Sequence, residues 1–200
     1  MEDFMIAKSS WLLVVFFSWL LADCCSQLVV IHDPYIADEL DCPSPDDRSL
    51  EGAWDRGVLW GDPDRAYKTL PPGLAIAPSR IPNAGNGVFS KIFIKKFTWL
   101  GEYEGEVISY DKDNQTSPYA WLVNRGGKYS HFIDAYNIET SSCWHFMNCA
   151  RNISELNVEV YECRGKIFFM TCRDIAPGDE FLVYYGDQYA ETLGIKPFED

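Results

Sequence analysis

The chain has 200 residues, enough for one well-buried domain and few for two. Its 47% hydrophobic and 15% aromatic content excludes a disordered chain. A formal net charge of −13 disfavours a phosphate backbone as partner, so direct nucleic-acid binding is not expected, while a basic peptide is compatible. The seven cysteines include no CxxC pair, so no structural metal site is expected.

The chain divides by composition into an apolar leader (1–30), an acidic Pro/Gly-rich linker (31–69), a β-rich domain (70–195) and a short tail (196–200). In the leader, Trp11 to Leu21 (WLLVVFFSWLL) is too short to cross a bilayer, which takes roughly twenty residues, so no transmembrane span is expected. The run fits the core of a secretory signal peptide, followed by Ala22, Cys24 and Cys25. Glu2 and Asp3 against the single Lys8 run counter to the positive start such signals prefer, and both readings stay open. The sequons Asn114-Gln115-Thr116 and Asn152-Ile153-Ser154 would suit a secreted chain, although such triplets also arise by chance. From Ala22 to Ala66, eleven acids face three arginines, whereas the domain that follows is close to charge-balanced. Solubility alone can account for the acidic segment. Trp54 and Trp60 are expected to tack this segment onto the domain.

From Leu70 onward, short apolar runs rich in Val, Ile, Phe, Tyr and Trp alternate with Gly, Pro and Asn. Strands are predicted at Leu74–Ala77, Gly87–Ser90, Trp99–Tyr103, Glu106–Ser109, Tyr119–Val123, Ser130–Ile133, Val158–Glu162, Lys166–Cys172 and Glu180–Tyr184. A single helix is predicted at Gln188–Leu193, stopped by Gly194. The domain is therefore mainly β, with several short-stranded sheets and few short helices.

Four stretches in order carry a further signal. These are Ala84-Gly85-Asn86-Gly87-Val88-Phe89, then Leu100-Gly101-Glu102-Tyr103-Glu104-Gly105-Glu106-Val107-Ile108, then Asn148-Cys149-Ala150-Arg151, and finally the run from Arg173 through Tyr184-Tyr185-Gly186-Asp187. Together with Leu70-Pro71-Pro72-Gly73-Leu74 and Leu193-Gly194-Ile195 at the edges, the domain resembles the PR/SET domain of the PR-domain zinc-finger family. That resemblance implies a SET-type fold and transfer of methyl groups from S-adenosylmethionine to protein lysines, in the nucleus and most naturally on a histone tail or another basic lysine-containing peptide. It implies cofactor contacts at Ala84, Gly85, Asn86, Tyr119, Asn148 and Cys149. Tyr185 matches the active-site Tyr and Tyr103 a wall of the lysine channel. Tyr119, Ala120, Trp121 and Phe169 fall on the substrate side. Phe169 stands where a close family member has a channel Tyr.

The chemistry agrees with these residue types. Methyl transfer needs a neutral amine, and a lysine side chain in water titrates near pH ~10.4, so its proton must leave first. A narrow aromatic channel disfavours the charged form, and alignment of the reacting atoms supplies much of the rest. Tyr hydroxyls can orient the amine, while aromatic faces attract the cationic centre. Core packing accounts equally well for Trp121, Phe168 and Tyr184, and a solvated strand face for Glu102, Glu104 and Glu106. His32, His131 and His145 show no metal or catalytic spacing. Two rivals to the enzyme remain: a catalytically inactive PR domain acting as a protein-interaction module, and a secreted β domain. In a reducing nucleus Cys143, Cys149, Cys163 and Cys172 are expected as free thiols.

Overall fold

The computed structural model describes residues 42–54, 57–125 and 128–196. The apolar leader with Cys24 and Cys25, the first part of the linker with His32, and the last residues of the tail lie outside the described residues. Among the described residues, a four-residue helix α1 (Arg65–Lys68) precedes ten strands, and a six-residue helix α2 (Asp187–Thr192) follows them. Strands β1 (Leu74–Pro78) and β2 (Asn86–Ser90) form an antiparallel pair. Strands β4 (Glu106–Ser109), β5 (Ala120–Arg125) and β6 (Lys128–Asp134) form a three-stranded sheet in the order β4-β6-β5. The third sheet contains β3 (Trp99–Tyr103), β7 (Asn148–Cys149), β8 (Val158–Cys163), β9 (Lys166–Thr171) and β10 (Leu182–Val183), in the order β3-β9-β8-β10-β7. Among the described residues, no helix is long and apolar enough to cross a membrane.

Strand β9 reads Lys-Ile-Phe-Phe-Met-Thr and is buried from Ile167 through Thr171. A continuous apolar strand is what results when both faces of a sheet are covered. Phe169 faces Tyr103, Trp121 and Trp144. Phe168 faces the other way, against Trp54 at 5.8 Å. That second face is covered by the amino-terminal segment, which bonds to β3 through Leu50 N–H to Trp99 O and Trp99 N–H to Arg48 O, each at 2.8 Å. Gly101 admits the segment: a Cβ there would lie 2.5 Å from the Ala53 carbonyl oxygen. Trp54 therefore tacks the segment down as expected. Trp60 does not, being 57% exposed, with the Arg65 guanidinium 5.1 Å from its ring.

The segment is also stapled covalently, because Cys42 is disulfide-bonded to Cys163 at the end of β8. Cys172 is disulfide-bonded as well, whereas Cys143 and Cys149 are buried as thiols. The expectation of four free thiols is thus corrected at Cys163 and Cys172. It had assumed a reducing compartment, and Cys42 is 121 residues from its partner, too far for spacing to suggest the pair.

Strand β10 lies between β7 and β8 and is parallel to both. Asn157 fixes it there: its Nδ2 donates to Glu180 O at 2.7 Å, and its Oδ1 accepts from Leu182 N–H at 2.8 Å. This insertion sets Tyr184 and Tyr185 beside Asn148 and Cys149, although more than thirty residues separate them in sequence.

Candidate functional site

The end of β10 directs two consecutive tyrosines to opposite sides. Tyr184 packs on a small cluster of Ala150, Leu156, Cys172 and Leu182 and donates its hydroxyl to Asp187 Oδ1 at 2.6 Å. Tyr185 turns inward, its ring edge-on to Trp121 at 6.0 Å, while Trp121 lies 6.2 Å from both Tyr103 and Phe169. Tyr103 and Phe169 are 5.6 Å apart. Three separate sheet elements and the chain after β10 thus build one aromatic box from Tyr103, Trp121, Phe169 and Tyr185. Edge-to-face contacts dominate, as the ring quadrupoles prefer.

Two hydroxyls belong to this box, and the backbone fixes both. Tyr185 donates to Met147 O at 2.6 Å, and Tyr103 donates to Tyr119 O at 2.7 Å. Burial raises both phenol pKa values well above the ordinary range, and neighbouring ionisable groups raise them further. Both groups therefore stay protonated at physiological pH. With each proton committed to a carbonyl, the Tyr185 oxygen keeps its lone pairs to accept from, or orient, a guest, while the Tyr103 oxygen also accepts from the Trp121 indole.

Tyr119 borders the box differently. Its carbonyl anchors Tyr103, while its half-exposed ring stacks on His145 with centroids 4.5 Å apart. His145 Nδ1 lies 2.7 Å from Ala135 O, a carbonyl that can only accept, and burial lowers the imidazole pKa. The neutral ring with Nδ1 protonated is therefore the favoured form. Beyond Tyr119 an open groove is lined by Glu106, Tyr119, Tyr136, Asn137, Ile138 and His145. Ala120 enters the region through its backbone, in register with Asp134.

The glycine turn between β1 and β2 is held by Asn148, the residue after Met147, whose carbonyl anchors Tyr185. Asn148 Nδ2 donates to Asn86 O at 2.9 Å and to Glu180 Oε1 at 3.1 Å. Glu180 is 5% exposed and also accepts from Ser79 Oγ at 2.6 Å and Arg80 N–H at 3.0 Å. The two glycines of the turn do different work. A Cβ at Gly87 would sit 2.2 Å from Glu180 Oε1, so this glycine makes room for the carboxylate. Gly85 has φ +74°, and a Cβ there would meet nothing within 4 Å, leaving that side of the turn open to a ligand. Ala84 closes the turn by donating its N–H to Ile81 O. Cys149, paired with Val183, carries a thiol whose pKa burial raises.

Three residues that organise the site are absent from the site residues expected from sequence. Glu180 and Asn157 hold β10, and Asp134 holds the Tyr119 loop by accepting from Ser117 N–H, Ser117 Oγ and Tyr136 N–H at 2.5–3.0 Å. Each is a polar residue bordering an apolar run, a pattern that signals a buried polar anchor. Among the described residues, no cluster of His, Cys, Asp or Glu could hold a metal ion.

Comparison with known proteins agrees with this architecture. The curated relatives include the histone-lysine N-methyltransferase PRDM7 of Homo sapiens, 38% identical over 143 residues that cover 71% of this chain and 29% of the relative. The histone-lysine N-methyltransferase set-17 of Caenorhabditis elegans is 34% identical over 128 residues, covering 64% of this chain and 46% of the relative. The chain thus spans less than half the length of either. The solved methyltransferase domain of human PR domain-containing protein 2 superposes with a TM-score of 0.51 at 25% identity, covering 74% of this chain and 95% of that one. The fold is accordingly of the SET type. The family model described as "PR domain zinc finger protein 2, PR domain" matches residues 74–196, and the chain belongs to the PR-domain family.

Proposed function

We propose that the chain is a protein-lysine N-methyltransferase that uses S-adenosylmethionine and acts on a histone tail or a similar basic peptide in the nucleus, with residues 70–195 as the catalytic unit. The observation that carries this reading is the aromatic box with two backbone-locked phenols, Tyr103 and Tyr185. A lysine side chain entering such a box is stripped of water, which favours its neutral form. Tyr185 and Tyr103 are placed to accept from the amine and aim its lone pair, while Trp121 and Phe169 exclude water. The turn at Ala84, Gly85 and Asn86, with Asn148, Cys149 and the Tyr119 ring, fits the cofactor: the open side at Gly85 admits close approach of a ligand to backbone. When bound, S-adenosylmethionine supplies a methyl group on a sulfonium centre. Glu106 in the groove beyond Tyr119 gives a basic peptide a carboxylate to approach. Calorimetric titration of the protein with S-adenosylmethionine tests the cofactor assignment, and absence of binding refutes it.

One observation favours a second reading. Cys42 is joined to Cys163, and Cys172 is also disulfide-bonded. Disulfides persist in oxidising compartments and are rare in the cytosol and nucleus. On this reading the PR fold matures in the secretory pathway and serves as a protein-interaction module. The apolar run Trp11 to Leu21 supports it as the core of a signal peptide. Mapping the Cys42–Cys163 bond in protein taken directly from its cells, with thiols blocked at lysis, tests it.

A further inference from the structure

We infer that Asn152 is an acceptor for an N-linked glycan, an assignment that rests on the second reading above. Asn152-Ile153-Ser154 has the acceptor pattern and lies in the turn between β7 and β8, with Asn152 and Ser154 exposed. Its geometry separates it from a chance triplet. Asn152 Oδ1 accepts three hydrogen bonds, from Ser154 N–H at 3.0 Å, Ser154 Oγ at 2.5 Å and Glu155 N–H at 3.2 Å. The carboxamide oxygen is thereby turned into the loop. Nδ2 makes no hydrogen bond to any described residue.

The turn is braced without that amino group. Arg173 donates to Ser154 O at 2.7 Å and to Ile153 O at 3.0 Å, and Arg151 pairs with Glu155. A sugar on Nδ2 therefore displaces no hydrogen bond to a described residue. The other triplet, Asn114-Gln115-Thr116, is also exposed, but there the Thr116 hydroxyl donates to Asp113 O, and no hydrogen bond from a described residue orients the Asn114 carboxamide. The geometry ranks Asn152 first. The disulfides are independent of both triplets and point to the compartment in which such transfer takes place.

The donor is a lipid-linked oligosaccharyl pyrophosphate. A bond forms between Asn152 Nδ2 and the anomeric carbon, and the carbon–oxygen bond to pyrophosphate breaks. The lipid pyrophosphate leaves with the bonding electrons, the amide nitrogen loses one proton, and no oxidant or reductant is required.

The test uses the full chain, with its native amino end, expressed in animal cells and digested without reduction. Enzymatic deglycosylation in heavy-oxygen water converts each glycosylated Asn to labelled Asp, which mass spectrometry locates alongside the Cys42–Cys163 crosslink. The expected result is a crosslinked chain labelled at position 152, with the label lost in Ser154→Ala, which keeps the acceptor amide but removes the pattern. Asn152→Gln gives a second variant with the same expected loss. A crosslinked chain without label overturns the assignment and leaves the second reading standing. Free thiols at Cys42 and Cys163 overturn that reading and the assignment together. A label that persists in Ser154→Ala reports spontaneous deamidation and also overturns it.

Discussion

Removing the Cys42–Cys163 bond should destabilise the domain by an amount that the sequence separation bounds. The bond closes a loop of 121 residues. Chain-entropy loss on closing such a loop corresponds to about 5 kcal/mol at room temperature, and measured disulfides typically contribute about 2–4 kcal/mol. Cys163 is buried at 5% exposure, so replacing both cysteines by serine leaves a hydroxyl in an apolar setting and pushes the cost toward the upper part of that range. The double variant Cys42→Ser/Cys163→Ser is preferable to chemical reduction, because Cys172 is also bonded and a reductant would cut both. Equilibrium unfolding in urea, followed by tryptophan fluorescence, should show a lower midpoint and an unfolding free energy smaller by about 2–4 kcal/mol. The slope should rise, because the uncrosslinked denatured chain exposes more surface. Near-ultraviolet circular dichroism should be largely retained, since the box of Tyr103, Trp121, Phe169 and Tyr185 lies on the opposite face of β9 from the Trp54–Phe168 contact. An unchanged midpoint would mean that the segment is held by its other contacts and that the staple contributes nothing.

The two glycines of the turn should respond differently to alanine. Gly87→Ala forces the Glu180 carboxylate off its donors and should cost about 3 kcal/mol, or about 6–12 °C in melting temperature for a domain of this size. Gly85→Ala meets no atom and should cost only about 1–2 kcal/mol for its left-handed backbone, while weakening cofactor binding in calorimetry; equal melting temperatures for the two variants would refute the division of labour. Phe169→Tyr places a hydroxyl at a position 1% exposed among Tyr103, Trp121 and Trp144. The change should cost about 1–3 kcal/mol and narrow the box, shifting products toward fewer methyl groups per lysine by peptide mass spectrometry; an unchanged product distribution would remove Phe169 from the channel.

Much of the strand pattern was legible because aromatic and β-branched runs sit between turn residues; Trp99–Tyr103 and Glu106–Ser109 are found with the expected bounds. The predicted strand Glu180–Tyr184 shrinks to Leu182–Val183. Glu180 spends its side chain on the β1–β2 connection and Asn148, and Phe181 N–H donates to Val88 O rather than to the ladder. Strand β7 has only two residues, defined solely by its partner β10, so no local pattern could announce it. Helix α1, a single turn inside a Gly/Asp/Pro-rich stretch, is held by tertiary contacts: Arg65 pairs with Glu104 and donates to Ser141 O, each at 2.8 Å. The clustering of Tyr103, Trp121, Phe169 and Tyr185 depends on strand order, which residue types do not encode. The ordered motifs supplied Tyr103 and Tyr185, and the family resemblance of the stretches between those motifs supplied Trp121 and Phe169.

Methyl transfer itself is tested most directly at Tyr185. Tyr185→Phe removes one hydroxyl and its bond to Met147 O while keeping the ring against Trp121 and Tyr189. The protein and the variant are incubated with S-adenosylmethionine and a lysine-containing histone-tail peptide, and methylated product is counted by mass spectrometry. The account predicts methylation by the unaltered protein and a loss of at least about tenfold in turnover in the folded variant, equivalent to about 1.4 kcal/mol of barrier. Full activity in Tyr185→Phe would contradict the role given to this hydroxyl. No methylation by the unaltered protein, with cofactor bound, would contradict the enzymatic reading altogether.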